Sequence, residues 1–133
     1  MKPKIVRPPS GSIPAGPWSQ GVRAGNLLFV SGQVGEDARG VILEATDFRA
    51  QAMRALENVE QVVRAAGGTK ADIVKITAFL KDVRYFPDYN DVRRDFFGDR
   101  FPASTSVVVK ELARPEYLLE IEAVAVIGGQ ALD

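Results

Sequence analysis

The chain has 133 residues, 17 Lys+Arg against 17 Asp+Glu, and neither histidine nor cysteine. Without His or Cys it can build no disulfide, thiolate or imidazole metal site, Ser-His-Asp triad or Cys-His pair, so proton transfer near neutral pH falls to a carboxylate, Lys, Tyr or water. Zero formal net charge argues against broad nucleic-acid binding, which rests on a basic surface.

A single domain over residues 1–133 is the natural count for this length, and such a chain buries roughly two-thirds of its unfolded surface. Residues 7–17 are rich in Pro, Gly and Ser and read as a loop. Trp18 to Arg23, a turn at Ala24-Gly25-Asn26 and the apolar run Leu27 to Val30 read as a β-hairpin. The clearest helix spans about Asp47 to Ala66: Phe48, Ala52, Ala55, Leu56, Val59, Val62, Val63 and Ala66 recur at helical spacing. Thr46 or Asp47 can cap its start, and Gly67 suits its end.

Ile73 to Leu80 then reads as a buried strand, rich in β-branched residues. Helix followed by strand at this spacing suggests a crossover unit. A second helix fits about Pro87 to Phe97, with Pro87 tolerated in the first turn. Two late strands follow, about Thr105 to Val109 and Leu119 to Ile127. Five or six strands and two helices make an α+β fold whose helices cover one face of the sheet. The other face also carries apolar residues and needs a cover, supplied by self-association or by tight curling of the sheet. There is no charged-then-apolar leader and no apolar run of the ~20 residues that cross a bilayer. A cytoplasmic protein, without membrane partners, is the expectation.

Several segments occur in an order and spacing that resemble the Rid family (reactive-intermediate deaminase, also called the YjgF family). Gly16-Pro17-Trp18-Ser19-Gln20-Gly21-Val22 resembles its GP-aromatic-SQ motif, and Phe29-Val30-Ser31-Gly32-Gln33 its SGQ strand end. Gln51 with Asn58-Val59, Ala66-Gly67, and Val74-Lys75-Ile76-Thr77 continue the pattern. Asn90 with Phe96-Phe97, Phe101-Pro102-Ala103 and Glu120-Ile121-Glu122-Ala123 complete it. The resemblance implies a chorismate-mutase-like subunit in a homotrimer, with three sheets forming a central barrel and three small-molecule clefts between neighbouring subunits. It also implies hydrolysis of enamines and imines derived from amino acids.

An imine is already electrophilic at carbon, so its hydrolysis needs a placed water, a proton relay and a hold on the substrate, but no metal or cofactor. The family's water-positioning glutamate maps to Glu120, with Glu122 on the same strand face. A solvated or salt-bridged strand carboxylate is the competing reading. Trp18 stands where the family commonly has tyrosine, as a cleft wall or as simple packing. Ser31 and Gly32 would offer backbone N–H groups or form a plain strand end. Asn90 would line the cleft or sit as a surface amide.

In the archetypal deaminases an arginine after Pro-Ala grips the substrate carboxylate in bidentate fashion. Ser104 occupies that position here, and a hydroxyl cannot neutralise a carboxylate. The expectation is a substrate other than simple imino acids. Arg100, Arg114 and Lys110 are nearby cations, but solvated surface charge is the better reading of all three. The competing functions are a metabolite-binding or regulatory trimer and, least favoured by charge and by the lack of His, an endoribonuclease.

Overall fold

A computed structural model describes residues 2–9, 13–42, 45 and 47–129. The strands are β1 (Lys4–Val6), β2 (Gly21–Ala24), β3 (Leu27–Gln33), β4 (Ile73–Leu80), β5 (Ala103–Val108) and β6 (Leu119–Val126), with helices α1 (Phe48–Ala65) and α2 (Phe86–Phe97). Single 3-10 turns precede β4 (Lys70–Asp72) and α2 (Val83–Tyr85). The six strands form one mixed sheet in the order β1-β2-β3-β6-β4-β5. Only β4 and β5 pair in parallel, joined by a crossover through α2. Both β3 and β4 pair antiparallel with β6, so they run parallel to each other around it, and α1 is their crossover.

Both helices and the strands from Ile73 and Leu119 lie where the sequence places them, but the hairpin's first strand begins at Gly21 rather than Trp18, which stays in the preceding loop, and the strand expected over Thr105 to Val109 runs from Ala103 to Val108. Helix α1 starts at Phe48 because Asp47 accepts a hydrogen bond from Ala50 N at 3.0 Å. Thr46, the alternative cap, lies outside the described residues. The helix stops at Ala65, and Gly67 follows at φ 92°, a left-handed conformation that a side chain would strain. Arg23 Nη1 also donates to Ala66 O at 2.5 Å, satisfying a carbonyl of the last turn. Strand β1 is an addition to the expected set, a short edge strand with Lys4 and Ile5 exposed.

Period-two alternation divides the sheet into two faces. Leu28, Val30, Ile76, Ala78, Leu80, Ile121, Ala123 and Ala125 are buried with the apolar stripe of α1 and with Tyr89, Val92 and Phe96 of α2. Both helices therefore cover the same face. Leu27, Phe29, Phe79, Glu120, Glu122, Val124 and Val126 pleat to the open face, where Phe29 and Leu27 pair with Val124 and Val126.

Two buried amides, two helical turns apart on α1, tie loops to this frame. Gln51 Nε2 donates to Glu116 O at 3.0 Å, and Gln51 Oε1 accepts from Leu118 N at 3.0 Å. Asn58 Nδ2 donates to Val34 O and Glu36 O, both at 2.9 Å. These bonds set the segments that enter β6 and leave β3, which are the walls of the cavity described next.

Candidate functional site

On the open face a cavity of about 630 Å³ lies over the adjoining parts of β3 and β6, within the range of small-molecule sites. Glu120 and Glu122 enter it from β6, Ser31 and Gly32 from β3, and Trp18 from the loop before β2. Gln20, Glu36, Arg114 and Tyr117 complete the polar lining. Gly32 has a direct structural cause: a Cβ there would overlap Glu120 Oε2 and stand 2.7 Å from Glu120 Cδ. The carboxylate thus lies against bare backbone. Glu120 is half-buried, and burial, followed by the negative charge of Glu122, pushes its carboxyl above the ordinary glutamate value.

Ser31 is engaged within the chain. Its N–H donates to Gln20 O at 2.9 Å and its hydroxyl to Ser19 O at 2.5 Å. Trp18 is 51% exposed, presenting its ring as a wall. Tyr117 is buried and its hydroxyl donates to Glu36 Oε2 at 3.2 Å. Burial, then the Glu36 charge, raises the Tyr117 phenol above its ordinary value. Three carboxylates and one guanidinium make this lining acidic.

Asn90 and Ser104 sit elsewhere. Ser104 pairs with Ile76 in the β4–β5 register and faces α2, while Glu120 pleats to the opposite face. Both residues line a second cavity of about 400 Å³ between α2 and β5, with Ile76, Arg93, Arg94, Phe97, Phe101 and Pro102. No carboxylate lines it. A single copy therefore carries an acidic cavity and a basic cavity on opposite sides of its sheet, and does not bring the six sequence-derived site residues together.

The three cations weighed from sequence also separate. Arg114 lines the acidic cavity, and Arg100 borders another depression beside Lys70. Strand β5 ends at Val108, so the alternation that related Lys110 to Ser104 does not reach residue 110. The cation that meets Ser104 is Arg93, which sequence reasoning passed over. Among the described residues no three His, Cys, Asp or Glu side chains converge to hold a metal ion. No helix among them is long and apolar enough to cross a membrane.

Fold and site together define an α+β protein with a carboxylate-floored cavity on the open face of a six-stranded sheet. Residues 10–127 match the family described as endoribonuclease L-PSP, and the chain belongs to this family, the Rid/YjgF family anticipated from its motifs. It is 38% identical over 128 residues to a 2-iminobutanoate/2-iminopropanoate deaminase of Dermatophagoides farinae, covering 96% of this chain and 99% of that one. The YjgF gene product of E. coli superposes with a TM-score of 0.86 at 37% identity, covering 92% of this chain and 98% of that one. E. coli TdcF with bound serine superposes at 0.83 with 38% identity and the same coverage.

Proposed function

We propose that the protein is an imine or enamine deaminase-like hydrolase, and that copies associate as a trimer to join the acidic half-site of one subunit to the basic half-site of the next. The observation that carries this reading is Glu120: a half-buried carboxylate with raised proton affinity, held against Gly32 in a cavity large enough for a small metabolite. Deaminase names among relatives at this level of identity support it.

The open face supports self-association. Leu27 and Phe29 on β3 and Val107 on edge strand β5 are 43%, 48% and 42% exposed, which is apolar surface on the face that the helices leave open. Packing such faces into a central barrel covers them and draws the half-sites of neighbouring copies together.

In the joined cleft Glu120 accepts a proton from water as the water oxygen bonds to the carbon of the protonated imine and the C=N electron pair moves to nitrogen. The resulting carbinolamine loses ammonia once Glu120 protonates its nitrogen, and the hydroxyl proton passes to that ammonia as the carbonyl forms, giving a carbonyl compound and ammonium. Glu120 returns the proton it took, so the carboxylate is regenerated. Its raised proton affinity suits both halves of this exchange. The acidic lining favours the cationic iminium end, and Trp18 walls the site. Asn90 and Ser104 of the neighbouring half hold the remainder of the substrate. With a serine at position 104, the preferred substrate differs from the simplest imino acids.

The test is ammonia and keto-acid release from freshly generated 2-aminoacrylate and a panel of bulkier imines. Turnover by the wild type, and a kcat lowered roughly 100- to 10,000-fold in Glu120→Gln with the fold intact, are expected. Ligand binding without turnover across the panel would favour a metabolite-binding trimer instead. The endoribonuclease reading fits least, because an acidic cavity repels a phosphodiester chain.

A further inference from the structure

The geometry points to Arg93 as the group that binds the anionic end of the ligand, an assignment that rests on the deaminase-type reading of the cleft. Arg93 is half-buried on α2, and none of the ion pairs among the described residues includes it. Its neighbour Arg94, by contrast, has Asp91 at 3.6 Å. Neutral groups hold Arg93 instead. Its Nε and Nη2 donate to Asn90 Oδ1 at 3.1 and 2.6 Å, and its Nη1 donates to Ser104 Oγ at 2.8 Å. Asn90 is three residues earlier on the same helix face, so the two side chains meet by helical geometry.

The guanidinium carbon lies 4.7 Å from the centre of the buried Tyr89 ring and 5.9 Å from that of Phe86. Ring faces, an amide and a hydroxyl thus fix the plane of the fork without cancelling its charge. A guanidinium carries five N–H donors, and the bonds to Asn90 and Ser104 leave donors on both terminal nitrogens. Such a fork is preorganised for two parallel bonds to a carboxylate.

The cavity that Arg93 faces also has an apolar wall of Ile76, Phe97, Phe101 and Pro102. A carboxylate on a short apolar stem satisfies both sides. The helix, rather than strand β5, supplies the cation, and Ser104 props it. Arg93 therefore sets specificity for anionic substrates, and the space left by the small Ser104 side chain admits an apolar substituent.

The probes are 2-oxobutanoate and its uncharged amide, titrated calorimetrically into wild type, Arg93→Gln, Arg93→Lys and Arg64→Gln, with assembly checked by light scattering. The last variant makes the same charge change on the distant surface of α1. In Arg93→Gln, binding of 2-oxobutanoate weakens roughly 10- to 100-fold while the amide changes less than about twofold. Arg93→Lys keeps the charge without the fork and falls between, and Arg64→Gln binds like wild type. If Arg93→Gln assembles normally and binds the keto acid as tightly as wild type, or if wild type does not prefer the anion, the assignment is wrong. If Arg93→Gln fails to assemble, Arg93→Lys decides: an unchanged preference for acid over amide in a fork-free variant overturns the bidentate grip. Arg93-dependent binding by a wild type that turns over no imine would sink the hydrolase reading and leave this assignment standing.

Discussion

Replacing Gln51 by leucine tests whether the buried amide on α1 holds the entrance to β6. The two side chains are similar in size, so the substitution removes polar partners and leaves no large void. Leu118 N loses its acceptor and Glu116 O loses its donor, while Gln51 itself is fully buried. An orphaned buried group costs about 1–3 kcal/mol, and because these two are only partly buried, a total of about 2–4 kcal/mol is expected. For 133 residues the entropy of unfolding at the midpoint is about 0.28 kcal/mol per kelvin, so Tm falls by about 7–14 °C. Differential scanning calorimetry at one fixed protein concentration reads this directly, the concentration being fixed because assembly shifts Tm. The same variant should lose turnover below its transition, because Tyr117 and Glu120 follow from this anchored segment. A Tm within 2 °C of wild type would refute the reasoning and show that backbone groups at 116 and 118 find other partners.

Asp47→Ala removes the N-cap of α1 and should lower stability by about 1 kcal/mol, or roughly 3–4 °C in Tm, without changing kcat. Glu120→Gln should raise stability at pH 8. A carboxyl with raised folded pKa carries a penalty that is absent below its unfolded pKa and complete above its folded pKa. The gain should therefore vanish as pH falls below the ordinary value near 4.5, and urea midpoints at pH 8 and pH 4 check it. Loss of stability at pH 8 would mean that Glu120 is held by a cation. Gly32→Ala pushes against the Glu120 carboxylate and should lower kcat by roughly 100-fold with a normal circular dichroism spectrum.

Much of this frame was legible because α1, β4 and β6 carry long, unbroken apolar periodicity. The Gln51 and Asn58 spacing also acquires a cause: both amides point from one helix face into loops whose carbonyls need donors. Period-two counting put Glu120 and Glu122 on one face, and both enter the same cavity. Strand β1 was illegible because three residues beside prolines, two of them exposed, carry no pattern. Arg93 escaped notice for a different reason. Helical periodicity places it off the core stripe, and its partner Ser104 lies 11 residues on, across a parallel crossover that no local pattern encodes. The separation of the candidate residues into two cavities was equally invisible, since it depends on which face each strand residue takes relative to the helices.

The joining of two half-sites is tested most directly by mixing disabled subunits. Glu120→Gln disables the acidic half, and Ser104→Trp fills the basic half; neither alone should turn over imine. After subunit exchange, verified by native mass spectrometry, an equimolar mixture contains clefts with two intact halves drawn from different copies. Random assortment makes these about a quarter of all clefts, so activity should recover to about a quarter of wild type. Mixed trimers that form and stay inactive would contradict a cleft shared between neighbouring subunits.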